Sequence, residues 1–264
     1  MQPIWNRAQF KQTGKDTFLS NYWPFVGVCV LLALLSGDLF NLQLQQTSRE
    51  LVSNSILIYD DPSLGNAVAY GAQLLSPYLA PFVAGSLLLS LLVVFPLQVG
   101  ASRFFLESRP GYKAPFQRIG HGFVENYGNV FLTGLFKWLF TLLWSLLFLI
   151  PGIIRSFGYF AVPYILAENP NLEHSRALQL SLQMTKGYKW DIFVLELSFL
   201  GWFLLSGISF NIAGIFYVNP YYQATLAEAY RFLRENAMAN GYTNSSELPG
   251  TQSPLWSGGT GVGL

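Results

Sequence analysis

Charge is what this chain has least of. Only 11% of its 264 residues are Asp, Glu, Lys or Arg, against roughly 25% in an average soluble domain. A water-soluble protein of this length could hardly cover its surface with so few charges. Cysteine and histidine are scarcer still: Cys29 is alone, and His121 and His174 are the only histidines. One cysteine makes no internal disulfide, and these three residues cannot assemble a Cys/His zinc site. The net charge is +1, no Lys/Arg cluster tracks a groove, and nucleic acid is not an expected partner. Phosphate loops, HExxH, GxSxG and paired-carboxylate motifs are missing too. No catalytic, cofactor-binding or metal-ligating residue is therefore assigned, and no enzymatic activity is expected.

Hydrophobicity is abundant. It makes up 52% of the chain, with 16% aromatic residues, and it comes in blocks of membrane-spanning length. The fold expected is all-α: a polytopic transmembrane bundle of about six membrane helices with a Pro-Gly hairpin and one cytoplasmic amphipathic helix. The bilayer is the expected partner, with a membrane-protein partner or a second copy also compatible.

Residues 1–21 are polar and carry Arg7, Lys11 and Lys15. Ile4, Ala8, Lys11 and Lys15 share helical spacing, so a short cytoplasmic surface helix is expected. The membrane domain covers 22–236, with spans at about 22–40, 78–99, 130–150, 153–167, 191–208 and 211–235. The first is read as an uncleaved span rather than a signal peptide, because Ala33-Leu34-Leu35-Ser36-Gly37 is a poor cleavage site. Gly37 to Pro77 is a polar connection in which Asp60 and Asp61 belong to a solvated turn. Pro96 kinks the second span near its end. Arg103 to Tyr127 is a polar, basic connection broken at Pro110-Gly111 and Pro115, with His121 and Glu125 four residues apart as an interfacial hydrogen-bonding pair.

From Val130 to Leu166 the chain is almost continuously apolar. One helix of that length would run roughly 55 Å, too long for a single span without extreme tilt. Val130 to Ile150 alone gives roughly 31 Å, which fits. A hairpin turning at Pro151-Gly152 resolves the excess, and the returning piece, Ile153 to Leu166, is short. Next, Asn169 and Pro170 read as the cap and first residue of an amphipathic helix with Ala177, Leu180, Ser181 and Met184 on one face, ending at Gly187. Residues 237–264, rich in Gly, Ser, Asn and Thr, read as a disordered tail.

With both termini in the cytoplasm, every Lys and Arg falls inside except Arg49, Arg155 and the intramembrane Lys137. Lys137 and Glu196 lie at similar depth in the third and fifth spans, and a charge pair between them is one expectation. Lys137 snorkelling and Glu196 facing headgroup water is the other. Arg155 is expected at outer headgroups and Glu228 near the cytosolic exit. A faint echo links Pro96…Arg103-Phe-Phe-Leu-Glu107 with Pro220…Arg231-Phe-Leu-Arg-Glu235.

Several strings recur in order: Ser145-Leu-Leu-Phe-Leu-Ile-Pro-Gly-Ile-Ile-Arg155, Tyr164-Ile-Leu-Ala-Glu-Asn-Pro170, Ala177-Leu-Gln-Leu-Ser181, Met184-Thr-Lys-Gly187, Lys189-Trp190 and Leu197-Ser-Phe-Leu-Gly-Trp202. Asn219-Pro-Tyr221, Ala224-Thr225 and Tyr230 follow. Together they resemble the bacterial integral-membrane family filed as domain of unknown function nine-seven-five, typical of Gram-positive bacteria. The resemblance implies a polytopic plasma-membrane protein and no established activity, so it carries over no functional residue. The expected function is non-enzymatic action on protein or lipid partners in the cell envelope, with a small transporter or permease subunit as the alternative.

Overall fold

Several helices in this chain carry a proline in their first turn. The computed structural model describes residues 4–35, 85, 88, 90–147, 149–209 and 211–250. Its helices are α1 (Arg7–Ser20), α2 (Tyr22–Leu35), α3 (Phe95–Glu107), α4 (His121–Val124), α5 (Tyr127–Leu147), α6 (Leu149–Gly158), α7 (Val162–Glu168), α8 (His174–Met184), α9 (Lys189–Leu197), α10 (Leu200–Ile208) and α11 (Asn219–Ala239). Pro151 and Pro163 occupy the first turns of α6 and α7, where a missing N–H costs nothing. Pro96 and Pro220 each follow a π-helical turn, Ser90–Val94 and Gly214–Val218. Such a turn lets the backbone adjust to the absent donor. Among the described residues the fold is all-α, and the only β feature is an isolated bridge between Arg109 and Tyr112.

The chain divides into two units, Met1–Val30 with Phe95–Leu264, and Leu31–Val94. In the second, the described residues are the end of α2, residues 85 and 88, and the Ser90–Val94 turn. The Gly37 to Pro77 connection with Asp60 and Asp61, and most of the expected second span, lie outside the described residues.

In the first unit α11 is the central helix, buried along nearly its whole length. Helix α1 runs antiparallel to it, with Phe10 against Phe232 and Phe18 against Tyr217. The contact is close because of Gly14, where a Cβ would stand 2.8 Å from the Thr225 backbone nitrogen. This corrects the surface-helix expectation: Phe10, Gly14, Thr17 and Phe18 are buried, whereas Ile4 is 87% exposed. The aromatic residues, not the Ile4/Lys11/Lys15 spacing, select the face.

Helix α3 runs past the expected span end at Val99, so Arg103 and Glu107 are buried helical residues rather than part of a polar loop. The following connection folds back onto it. A Cβ at Gly100 would stand 1.8 Å from the Ile119 carbonyl oxygen, and one at Gly122 2.1 Å from that of Pro96.

The expected hairpin is present, with its turn earlier than Pro151-Gly152. Helix α5 ends at Leu147 and α6 begins at Leu149. Gly152 lies inside α6, where a Cβ would meet Ser145 Cα at 2.7 Å. Glycine serves helix contact here, not the turn. Helix α6 is only ~15 Å long, about half a bilayer core. Helix α7 follows and every residue in it is buried by protein. The expected fourth span, 153–167, is therefore two short helices. Of the expected sixth span, 211–235, the part from Asn219 on is the largely buried α11, which runs on to Ala239, whereas Ile212 and Phe216 before it are exposed.

By length and composition, two described helical stretches can cross a membrane, Tyr127–Leu146 and Lys189–Ile208. The latter joins α9 and α10 through hydrogen bonds at Ser198 and Phe199, as expected for 191–208. A third is possible if α1 and α2, bent by 98°, count as one. Six spans are not represented among the described residues.

Helix α8 buries Ala177, Leu180, Ser181 and Met184, the face read from spacing. It starts later than expected. Asn169 instead ends α7, and its side chain accepts from the Asn171 N–H at 3.0 Å, a local turn that competes with helix capping. The expected tail also starts later: residues 242–250 fold back with Leu248 fully buried, and 251–264 lie outside the described residues.

Gly100→Ala is expected to destabilise the fold by about 1–3 kcal/mol, since backbone must move. Gly201→Ala, with nothing within 4 Å, is expected to be neutral or to stabilise by ~0.5–1 kcal/mol. Thermal unfolding of the two variants in one detergent compares them directly.

Candidate functional site

The ends of α3 and α7 and the middle of α11 gather the buried charges. A helix ends on carbonyl groups without intrahelical partners, and these ends are enclosed by protein. Guanidinium groups from other helices supply the donors. Arg103 of α3 donates through Nη1 to the Ala167 carbonyl at 2.6 Å, at the end of α7. Arg231 of α11 donates through Nη2 to the carbonyls of Phe105, Leu106 and Ser108 at 3.2, 2.7 and 3.4 Å, at the end of α3. Cations there also favour the helix dipole.

Each guanidinium is balanced by a carboxylate. Glu107, fully buried, accepts from Arg103 Nε at 2.8 Å and Arg118 Nε at 2.9 Å. Glu228 pairs with Arg231 and lies 3.8 Å from Arg109. Glu168, also fully buried, accepts from Tyr230 Oη at 2.9 Å, Arg234 Nε at 2.9 Å and the Gly250 N–H at 3.0 Å. Buried charges persist only when paired and hydrogen-bonded in this way.

His121 joins the network. Its Nδ1 is 3.6 Å from Glu125, and its Nε2 is 3.4 Å from Arg103 Nη1. Burial and the Arg103 charge hold its imidazole below the ordinary histidine range. Burial and Arg231 bring Arg109 down to about 10, so it stays charged at neutral pH. Among the described residues no three His, Cys, Asp or Glu side chains form a metal-binding group. The arrangement is a charge-neutralised clamp that joins the ends of α3 and α7 to α11.

The intramembrane candidates go elsewhere. Lys137 Nζ lies 5.7 Å from the Phe95 ring centroid. Glu196 has Tyr222 and Tyr164 as electrostatic neighbours. The expected pair is not among the salt bridges of the described residues. Arg155 stacks on Trp144 at 4.7 Å. A Cβ at Gly158, one turn on, would stand 3.6 Å from Lys189 Nζ. Arg155 and Lys189 are thus neighbours in space. Glu228 is buried in the clamp.

Sequence reading missed Arg103, Glu107, Glu168, Arg231 and Arg234 as a group. The usable signal was opposite charge at helical spacing, Arg103/Glu107 and Glu228/Arg231. The faint echo singled out two of these residues: Arg103 and Arg231 each cap the end of another helix.

A family model described as "Protein of unknown function (DUF975)" matches residues 86–237, more than half of the chain. The chain belongs to this family. Glu107, Glu168, Glu228 and their arginine partners all lie within the DUF975 match, whereas Glu247 and Gly250 lie beyond it. No curated protein and no solved structure matches the chain.

Glu107→Ala, which strips Arg103 and Arg118 of their shared carboxylate, is expected to cost about 3–5 kcal/mol in unfolding measurements. Because His121 is held below its unfolded value near 6.5, the unfolded chain takes up the proton first. Stability should therefore fall as pH drops from 7 through 6, and His121→Gln should flatten that dependence.

Proposed function

We propose that this DUF975 protein is a multi-pass cell-membrane protein with both termini in the cytoplasm, acting without catalysis on protein or lipid partners of the envelope. The observation that carries the reading is the outward surface of the two crossing-length stretches. Leu139, Leu142, Leu143 and Trp144 of α5, and Leu200, Phe203, Leu204 and Leu205 of α10, are all exposed. So large an exposed apolar surface needs lipid or a partner to cover it. Arg103, Arg118, Arg231 and Arg234, by contrast, are paired with buried carboxylates.

Support for the orientation comes from the cations. With the termini inside, and Arg155 a neighbour of Lys189, Arg49 is the one cation assigned outside. A transporter reading would draw on a paired Lys137 and Glu196, and these two have different neighbours.

Ser63→Cys in a Cys29→Ser background should react with an impermeant maleimide in intact cells, whereas Lys186→Cys should react only after lysis. The reverse pattern would overturn the orientation. Release of the protein from membranes by carbonate would overturn the membrane reading itself.

A further inference from the structure

The chain beyond the family match is seated on residues within it. After α11, Gly241 adopts φ 69° and residues 242–250 return to the clamp. Arg176 donates to both Glu247 carboxylate oxygens, at 2.8 and 2.9 Å, and to the Tyr242 carbonyl at 2.7 Å. Asn169 Nδ2 donates to the Glu247 carbonyl at 3.0 Å, and Arg234 Nη2 to the Leu248 carbonyl at 2.7 Å. Glu168 accepts the Gly250 N–H at 3.0 Å. Leu248 is fully buried, whereas Tyr242, Asn244, Ser245, Ser246 and Pro249 are exposed.

This is how a short peptide segment is recognised: main-chain groups are read by fixed donors and acceptors, with one charge and one apolar anchor for specificity. The segment is shaped for it. Asn244 Oδ1 accepts from the N–H groups of Ser246 and Glu247, both at 3.0 Å, forming a turn that presents Glu247 and Leu248 together. Its hold is modest. The Arg176 and Glu247 side chains are 27% and 26% exposed, so water and salt screen their pairing. With Leu248 as its one buried apolar side chain, the strap opens more readily than the packed helices, although its bonds with Arg234 and Glu168 are buried. A short tether to α11 keeps the strap at high local concentration.

We propose that Glu168, Asn169, Arg176 and Arg234 form a docking site for a turn-forming peptide, occupied here by the chain's own residues 242–250. A partner segment with a carboxylate, an adjoining leucine and a free backbone N–H two residues further on takes the site by displacing the strap. This site does not depend on the membrane orientation proposed above.

The test uses the full chain in lipid nanodiscs and a fluorescein-labelled synthetic peptide with the sequence of residues 242–250. Glu247→Ala with Leu248→Ala weakens the strap, and this double variant should bind the probe at least tenfold tighter than the unmodified chain. Adding Arg176→Ala should remove that gain, and a probe carrying the same two alanines should not bind. Equal binding by the double variant and the unmodified chain, or no loss on Arg176→Ala, overturns the proposal. If the double variant is not monodisperse, the unmodified chain decides. Saturating, isotopically distinct peptide should raise hydrogen exchange across 243–250, and unchanged exchange overturns the proposal.

Discussion

A helix that ends inside a protein must have its last carbonyls bonded by something other than water. Helices α3 and α7 both end this way, and in each case an arginine from another helix completes the end. Arg103 ties α3 to the end of α7, and Arg231 ties α11 to the end of α3. The position of each helix thus depends on a side chain remote in sequence. Arginine suits this task because its planar fork meets a carboxylate and carbonyl oxygens together. The carboxylates Glu107, Glu168 and Glu228 follow as a requirement, since an uncompensated guanidinium could not stay buried.

The scarcity of charge and its burial are two aspects of one arrangement. Much of the exterior of α5 and α10 is apolar, so a charge there would stand among apolar side chains with nothing to pair it. Inside, paired charges fix geometry between helices. Lys11 illustrates the pattern on a smaller scale: its ammonium donates to the Ser198 carbonyl at 3.2 Å and lies 4.5 Å from the Phe199 ring centroid, at the junction of α9 and α10.

Close backbone contact supplies the remaining constraint. Gly14, Gly100, Gly122 and Gly152 each leave no room for a Cβ, and they lock α1 to α11, the connection after α3 to α3, and α6 to α5. The hairpin consequently turns before Pro151. With α6 only ten residues long, the chain comes back partway, and the highly buried α7 continues from there.

Composition and run lengths alone determined that the chain is all-α and apolar enough for a membrane. They also located the long helix near Val130 to Ile150, the stretch 191–208 and the buried face of α8, because helical periodicity and hydrophobic length are local properties of a sequence. Tertiary structure decided the rest. Hydrophobicity does not distinguish lipid from the protein interior, so α7 and α11 read as spans although other helices surround them. Proline and glycine mark a break or a contact with equal plausibility, so Pro151-Gly152 read as the turn. The carbonyl partners of Arg103 and Arg231 and the Tyr230 partner of Glu168 lie from 62 to 126 residues away, unlike the local pairs Arg103/Glu107 and Glu228/Arg231. No local pattern encodes a pairing at that separation, and only the packed fold brings those charges together.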